Sequence, residues 1–289
     1  MGYSAGAGWS FNMEYDYIDQ SDLRHGSHSA STVPDGNELE HDTTNNYITA
    51  GISYSPSSAW NISLRVPYVD RTHSTYGEFD STQPLPELST SSSSSLGDMR
   101  IVGSYQGLLP TRNLGLQLGL KLPTGQYGTD VKFNGGPLEG EPLDASLQPG
   151  MGSTDIIVGA YYYLAISQNF DFFVNGQFQA EVSTHQDQTG SDFKPGNATN
   201  ISAGLRYEAN PRWVPQLQVN VLHKNRDEGA LADTENTAGN AVYLSPGITV
   251  QVMNRLHVFG FATIPVVSNL DGYQLAPRWT ASVGASYGF

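Results

Sequence analysis

Thirteen charged residues fall where strand alternation would turn them to one face: Glu14, Asp16, Arg65, Asp98, Arg100, Lys121, Asp155, Asp171, Glu181, Arg206, Glu208, Lys224 and Arg278. Seven are acids and six are bases, so they nearly cancel, and most of the net charge of −14 lies in the connections between strands. Such a face can do two things. It can form a hydrated, salt-bridged filling, or it can line a polar path with a constriction that sorts solutes by charge. Alternation does not say which charges share one height, so both readings stand.

A second group is aromatic. In residues 255–267, Leu256, Val258, Ala262 and Ile264 share one face and His257, Phe259, Phe261 and Thr263 the other. If the aliphatic face points outward, Phe259 and Phe261 join Tyr161, Tyr163, Phe173 and Tyr243 on an inner aromatic surface suited to apolar or aromatic solutes. In the opposite phase they face outward and the interior has no such patch.

Sites for bond-making chemistry are not expected. His25, His28 and His41 share a segment with Asp35, Glu38, Glu40 and Asp42, but their spacing matches no metal signature, and a solvated loop accounts for them. The serine run 91–95 reads as a flexible loop end. No Ser–His pair with an acid or amide partner lies on one strand, as a barrel lipase would need. The motifs "GDMR", "GQYGTD" and "GMGSTD" sit in no strand–Gly–helix unit, so none is a phosphate loop. No enzyme activity, metal or cofactor is expected.

The elements that must position these residues are strands. The chain has 289 residues, 31 of them Gly and 16 Tyr, and only 15% are charged. Mean hydropathy is −0.35. No apolar run reaches the roughly 18 residues of a membrane helix. Apolar residues instead recur at every second position in segments of about ten, the pattern of half-apolar strands. The twelve candidate segments are 5–18, 44–56, 59–71, 97–107, 113–123, 154–166, 170–183, 199–208, 213–225, 241–252, 255–267 and the C-terminal stretch. The clearest is 113–123, with Leu114, Leu116, Leu118, Leu120 and Leu122 on one face.

The connections alternate strictly. Long polar loops (19–43, 72–96, 124–153, 184–198, 226–240, 268–276) follow odd segments, and tight turns follow even ones. A soluble sandwich has no reason to obey this rule. An outer-membrane barrel does, with short periplasmic turns and long extracellular loops. Aromatics gather at both ends of the apolar faces. Trp9, Trp60, Phe170, Trp213, Tyr287 and Phe289 lie toward the short turns, and Tyr15, Tyr17, Tyr68 and Trp279 toward the long loops. These are the expected interfacial girdles.

The expectation is therefore one all-β domain, 1–289: a twelve-stranded antiparallel up-and-down transmembrane β-barrel in the bacterial outer membrane. Its partners would be outer-membrane lipid, lipopolysaccharide and a small solute. The acidic balance argues against nucleic acid, and the barrel is expected to be a monomer. The absence of Cys excludes disulfides. Met1-Gly2 runs almost directly into a strand, which reads as a mature chain whose signal peptide has been removed. The closing "ASYGF" resembles the C-terminal insertion signal of outer-membrane proteins. Loops could narrow the bore, and the 30-residue stretch 124–153 is the best candidate among them for folding inward.

Three short motifs carry a family resemblance: Gly97-Asp98 before a strand, Pro123-Thr124-Gly125 ending the next, and Gly150-x-Gly152-x-x-Asp155 opening another. With their flanking strands they resemble the outer-membrane family named for the MetA pathway of phenol degradation. The resemblance covers about a third of the chain well and the remainder by architecture. Its link to aromatic compounds implies passage of small organic molecules, and with no energy-coupling element visible in the sequence that passage is expected to be passive diffusion. The alternative is a surface binding or adhesion barrel with a closed lumen, acting through its acidic loops.

Overall fold

The computed structural model describes residues 7–289. The first two residues of the expected opening strand, Ala5 and Gly6, and the Met1-Gly2 start lie outside the described residues. The described chain forms thirteen strands and one turn of 3-10 helix (Ala145–Leu147). The strands are β1 (Gly8–Gly26), β2 (His28–Ser29), β3 (Glu38–Ser57), β4 (Trp60–Glu78), β5 (Ser89–Leu96), β6 (Met99–Tyr105) and β7 (Leu114–Leu122). They continue as β8 (Ser153–Ala165), β9 (Phe170–Thr184), β10 (Ala198–Tyr207), β11 (Trp213–Lys224), β12 (Gly239–Met253) and β13 (Leu256–Gly288). All pairings are antiparallel. Eleven elements make a closed ring, in which β13 returns to β1 from Ser10↔Gly288 onward. Closure leaves the ring no bare edge, as any sheet crossing lipid requires. Off the ring, β2 pairs with β1, and β5 pairs with β4 as a continuation of β6 while its Thr90 bridges to Asn134 of the long loop.

Alternation sets the two faces. In β7, Leu116, Leu118 and Leu120 are exposed on the outside of the ring, while Gly115, Gln117, Gly119 and Lys121 are buried within. The same holds around the ring, and its outer surface is a continuous apolar band. Aromatic pairs rim the band. Trp9 meets Tyr54, Trp60 meets Tyr105, Phe170 meets Tyr207 and Tyr287 meets Phe289 near the short turns. Toward the long connections, Tyr17 meets Trp279 with ring centroids 5.0 Å apart and the rings tilted, and the Tyr15 hydroxyl donates to Asn46. Trp213 and Tyr68 are exposed on the same outer surface.

Several expected loops are strand. β1 runs on to Gly26, β3 begins at Glu38 and β4 reaches Glu78. The serine run is β5, paired residue by residue from Tyr68↔Leu96 to Thr75↔Ser89. The stretch 268–276 belongs to β13. The apolar alternation stops where the apolar band stops, but backbone pairing does not. Beyond the band the strands continue with Ser, Thr, Asn and Asp on both faces, so the sequence signal ends before the ladder does.

Candidate channel lumen

Cross-strand register gathers the inner charges into three groups. The largest is a belt across five strands. Arg65 of β4 lies opposite Arg100 of β6, Arg100 opposite Lys121 of β7, Lys121 opposite Asp155 of β8, and Asp155 opposite Glu181 of β9. β1 joins from the other side, where Arg65 donates to Glu14 at 2.6 Å. Its neighbour Asp16 accepts from Ser282. Asp171 and Arg206 sit opposite one another near the short-turn rim, with Arg206 on Glu208 at 2.9 Å. Lys224 lies near the other rim, 2.9 Å from Asp227. Arg278 joins none of these groups. It is the extra residue of a bulge between the partners of Asp19 and Gln20, and it is exposed.

The family-like motifs converge at the edge of this belt. Lys121 is buried between Asp98 at 3.3 Å and Asp155 at 3.1 Å, and donates to Ser153 at 2.9 Å. Asp98 in turn accepts the backbone N–H groups of Gly125 and Met151, both at 3.0 Å. The Thr124 hydroxyl bonds the Gly97 carbonyl at 3.0 Å and accepts the Met99 N–H at 2.9 Å. A Cβ on Gly125 would lie 2.8 Å from the Gly150 Cα, so both positions need glycine for the two ends of the loop to touch. The three motifs thus form one clasp that pinches the loop between β7 and β8 at its base.

Above the clasp the loop turns into the barrel. Residues 131–143 form a small hairpin, with Phe133 and Glu141 bonded through their backbones at 3.0 Å, around buried Val131, Phe133 and Leu143. Arg71 ties it to the wall. Its guanidinium bonds Asn45 at 2.5 Å, Tyr47 at 2.8 Å and the Leu147 carbonyl. The ring of His73 lies 5.8 Å from that of Phe133. The fully buried Gln148 donates to the Leu143 carbonyl at 2.9 Å. Arg71 shares the inward phase of Arg65 but lies beyond the thirteen charges that the apolar alternation marks. Continuing the count 65, 67, 69, 71 would have found it.

The inner aromatics form two patches. Tyr161, Tyr163 and Phe173 lie on β8 and β9, with Tyr163 opposite Phe173. Tyr243, Phe259 and Phe261 lie on β12 and β13, with Phe259 opposite Thr249 and Phe261 opposite Gly247. Most lie flat against glycines of the neighbouring strand. A Cβ on Gly115 would meet the Tyr161 ring at 2.1 Å, one on Gly204 the Phe173 ring at 2.7 Å, and one on Gly247 the Phe261 ring at 2.1 Å. The rings therefore pave the wall rather than block the bore. Of the two phases open for 255–267, the structure adopts the one with Phe259 and Phe261 inside.

At the long-connection mouth, residues 128–129, residues 142–145, residues 230–233 and Glu38 line an open pocket of about 360 Å³. Its walls carry Leu143 and Leu231 together with Glu38, Asp144 and Asp233. Burial and the neighbouring Glu38 and Asp233 push Asp144 up to about 6. Among the described residues, no three His, Cys, Asp or Glu side chains are grouped to hold a metal.

The family model described as "Putative MetA-pathway of phenol degradation" matches residues 25–264. The chain belongs to this family. Its fold matches the COG4313 outer membrane channel from Pseudomonas putida F1, with a TM-score of 0.71, 12% identity, and coverage of 100% of this chain and 98% of that one. The CymD monoaromatic hydrocarbon channel matches at a TM-score of 0.50 and 11% identity, covering 99% of this chain and 90% of its own. The transport unit of the autotransporter AIDA-I from Escherichia coli matches at 0.51 and 14%, covering 100% and 92%. None of the curated proteins matches the sequence. The chain thus shares the closed antiparallel β-barrel fold of these outer-membrane proteins.

Proposed function

We propose that the protein lets small apolar solutes, monoaromatic hydrocarbons among them, diffuse passively across the outer membrane. The observation that carries this reading is the inward-folded loop, clasped at the family motifs inside a ring that is apolar outside and polar within. A surface adhesin has no need to fix a loop in its bore. The family's link to phenol degradation and the hydrocarbon channel among the structural neighbours support the solute class.

In this reading the chain is one domain and one monomer with twelve spans. β13 counts twice, because residues 256–270 pair with β12 and residues 270–288 with β1, with Gly272 at φ +60 between the two arms. β5 and β6 together make one span along β4. The short turns face the periplasm, and the long connections stand among lipopolysaccharide. The inner charged and aromatic residues named above line the solute path, and the ten girdle residues seat the barrel in lipid.

The test is uptake of a radiolabelled monoaromatic hydrocarbon by cells with an intact lipopolysaccharide leaflet, with and without the protein. Faster uptake with it supports the reading. Equal uptake at equal surface expression contradicts it.

A further inference from the structure

Within the ionic belt one cation stands apart. Lys121 is buried and saturated by Asp98, Asp155 and Ser153, and Arg65 has Glu14. Arg100 lies directly between them in the ladder, opposite Arg65 on one side and Lys121 on the other. Like charges directly opposite across strands destabilise a sheet, and a guanidinium offers five N–H donors. Yet no protein group among the described residues forms a hydrogen bond or ion pair with Arg100, whose side chain is exposed inside the ring. The nearby carboxylates are committed elsewhere. Asp98 holds the loop backbone, Asp155 holds Lys121 and Gln179, and Glu14 holds Arg65.

We infer that Arg100 is a docking point in the lumen for the carboxylate of a small aromatic acid. A planar carboxylate matches the guanidinium fork, and its charge relieves the repulsion from Arg65 across the ladder. The exposed face of Arg65 lies beside it to share the second oxygen. This deepens the channel reading, on which it rests, by extending the solute class to the ionised, oxidised form of an aromatic compound.

Calorimetric titration of the detergent-solubilised protein tests it, with benzoate as the probe and benzyl alcohol and benzylammonium as controls of the same ring. Benzoate is expected to bind more tightly than either control, and R100Q to weaken benzoate at least about tenfold, the scale of charge-assisted hydrogen bonds. R100K, which keeps the charge but loses the fork, should recover part of the loss. Equal binding of the three probes, no benzoate binding, or benzoate binding unchanged in R100Q would overturn the assignment. Should R100Q fail to fold, judged by its heat-modifiable band, the ranking of the three probes on the unaltered protein decides alone. Hydrocarbon uptake by that protein reports separately on the channel. Uptake without benzoate binding removes the Arg100 site and keeps the channel, whereas binding without uptake keeps the site and removes the channel.

Discussion

Replacing Lys121 by Met should both destabilise the barrel and free the inward loop. The ammonium is 3% exposed and faces two carboxylates, of which Asp155 is 2% exposed. Its removal leaves two buried anions sharing one site. Breaking a buried ion pair from one side costs about 3–5 kcal/mol, because the remaining charge is uncompensated. Here Asp98 keeps two backbone N–H donors, and Asp155 keeps Ser153 and Gln179. These bonds offset part of the penalty, so the lower end, about 3 kcal/mol, is expected. The measurement is urea unfolding in lipid vesicles, followed by the electrophoretic shift between folded and unfolded barrel. Adding D98N and D155N to K121M should return at least half of the loss, since a neutral cluster of similar shape has no stranded charge. A loss below about 1 kcal/mol for K121M, the scale of an exposed pair, would show that the clasp is solvated. A triple variant less stable than K121M alone would show that the carboxylates act otherwise than as partners of Lys121.

Three further outcomes follow from the same geometry. L118K places a charge on the most lipid-exposed position of β7 and should cost about 2–4 kcal/mol near the bilayer midplane, whereas L118K in a water-facing sheet would cost little; unfolding in vesicles separates the two. G247L would drive a side chain into the Phe261 ring and should cost about 1–3 kcal/mol by overpacking, with G247L/F261A recovering most of it in the same assay. At the mouth, beyond the outer aromatic rim, burial with Glu38, Asp144 and Asp233 pushes Glu40 up to about 8, and Asp144 stands at about 6. Both folded values are raised, so the stability they contribute is full below the ordinary carboxylate range and is lost as pH rises through about 6 and then about 8. Amide exchange across 128–145, corrected for its intrinsic pH dependence, should be slower at acid than at alkaline pH, and D144N should remove the lower part of that change.

Much of the barrel was legible because lipid imposes a local rule. Strands such as 113–123 must turn every second side chain outward, and that period survives in the sequence without knowledge of any partner. Girdle positions such as Trp60 and Trp213 were legible for the same reason, since they end an apolar face beside a turn. The polar extensions were not legible. The serines of β5 have no pattern of their own and are strand only because β4 supplies a ladder from Tyr68 to Thr75. The candidate site divides the same way. Phase placed Arg65, Arg100 and Lys121 on one face, but their common height depends on the stagger between strands, which no single strand records. The clasp joins residues 97–98, 124–125 and 150–155 through backbone N–H groups, and a backbone donor leaves no trace in residue type. Alternation alone does not fix the phase of Phe259 and Phe261, because both faces of that strand are apolar. Gly247 of β12 and Gly284, later in β13, where those rings rest, decide it.

The central claim is that hydrocarbon covers the outside of this ring and solute passes through its inside. Single-molecule current across a planar lipid bilayer tests it most directly, with insertion confirmed by the folded electrophoretic form. The account predicts steady, small openings that widen in K121M, where the loop is released. A folded, inserted barrel that stays electrically silent in both forms would contradict it.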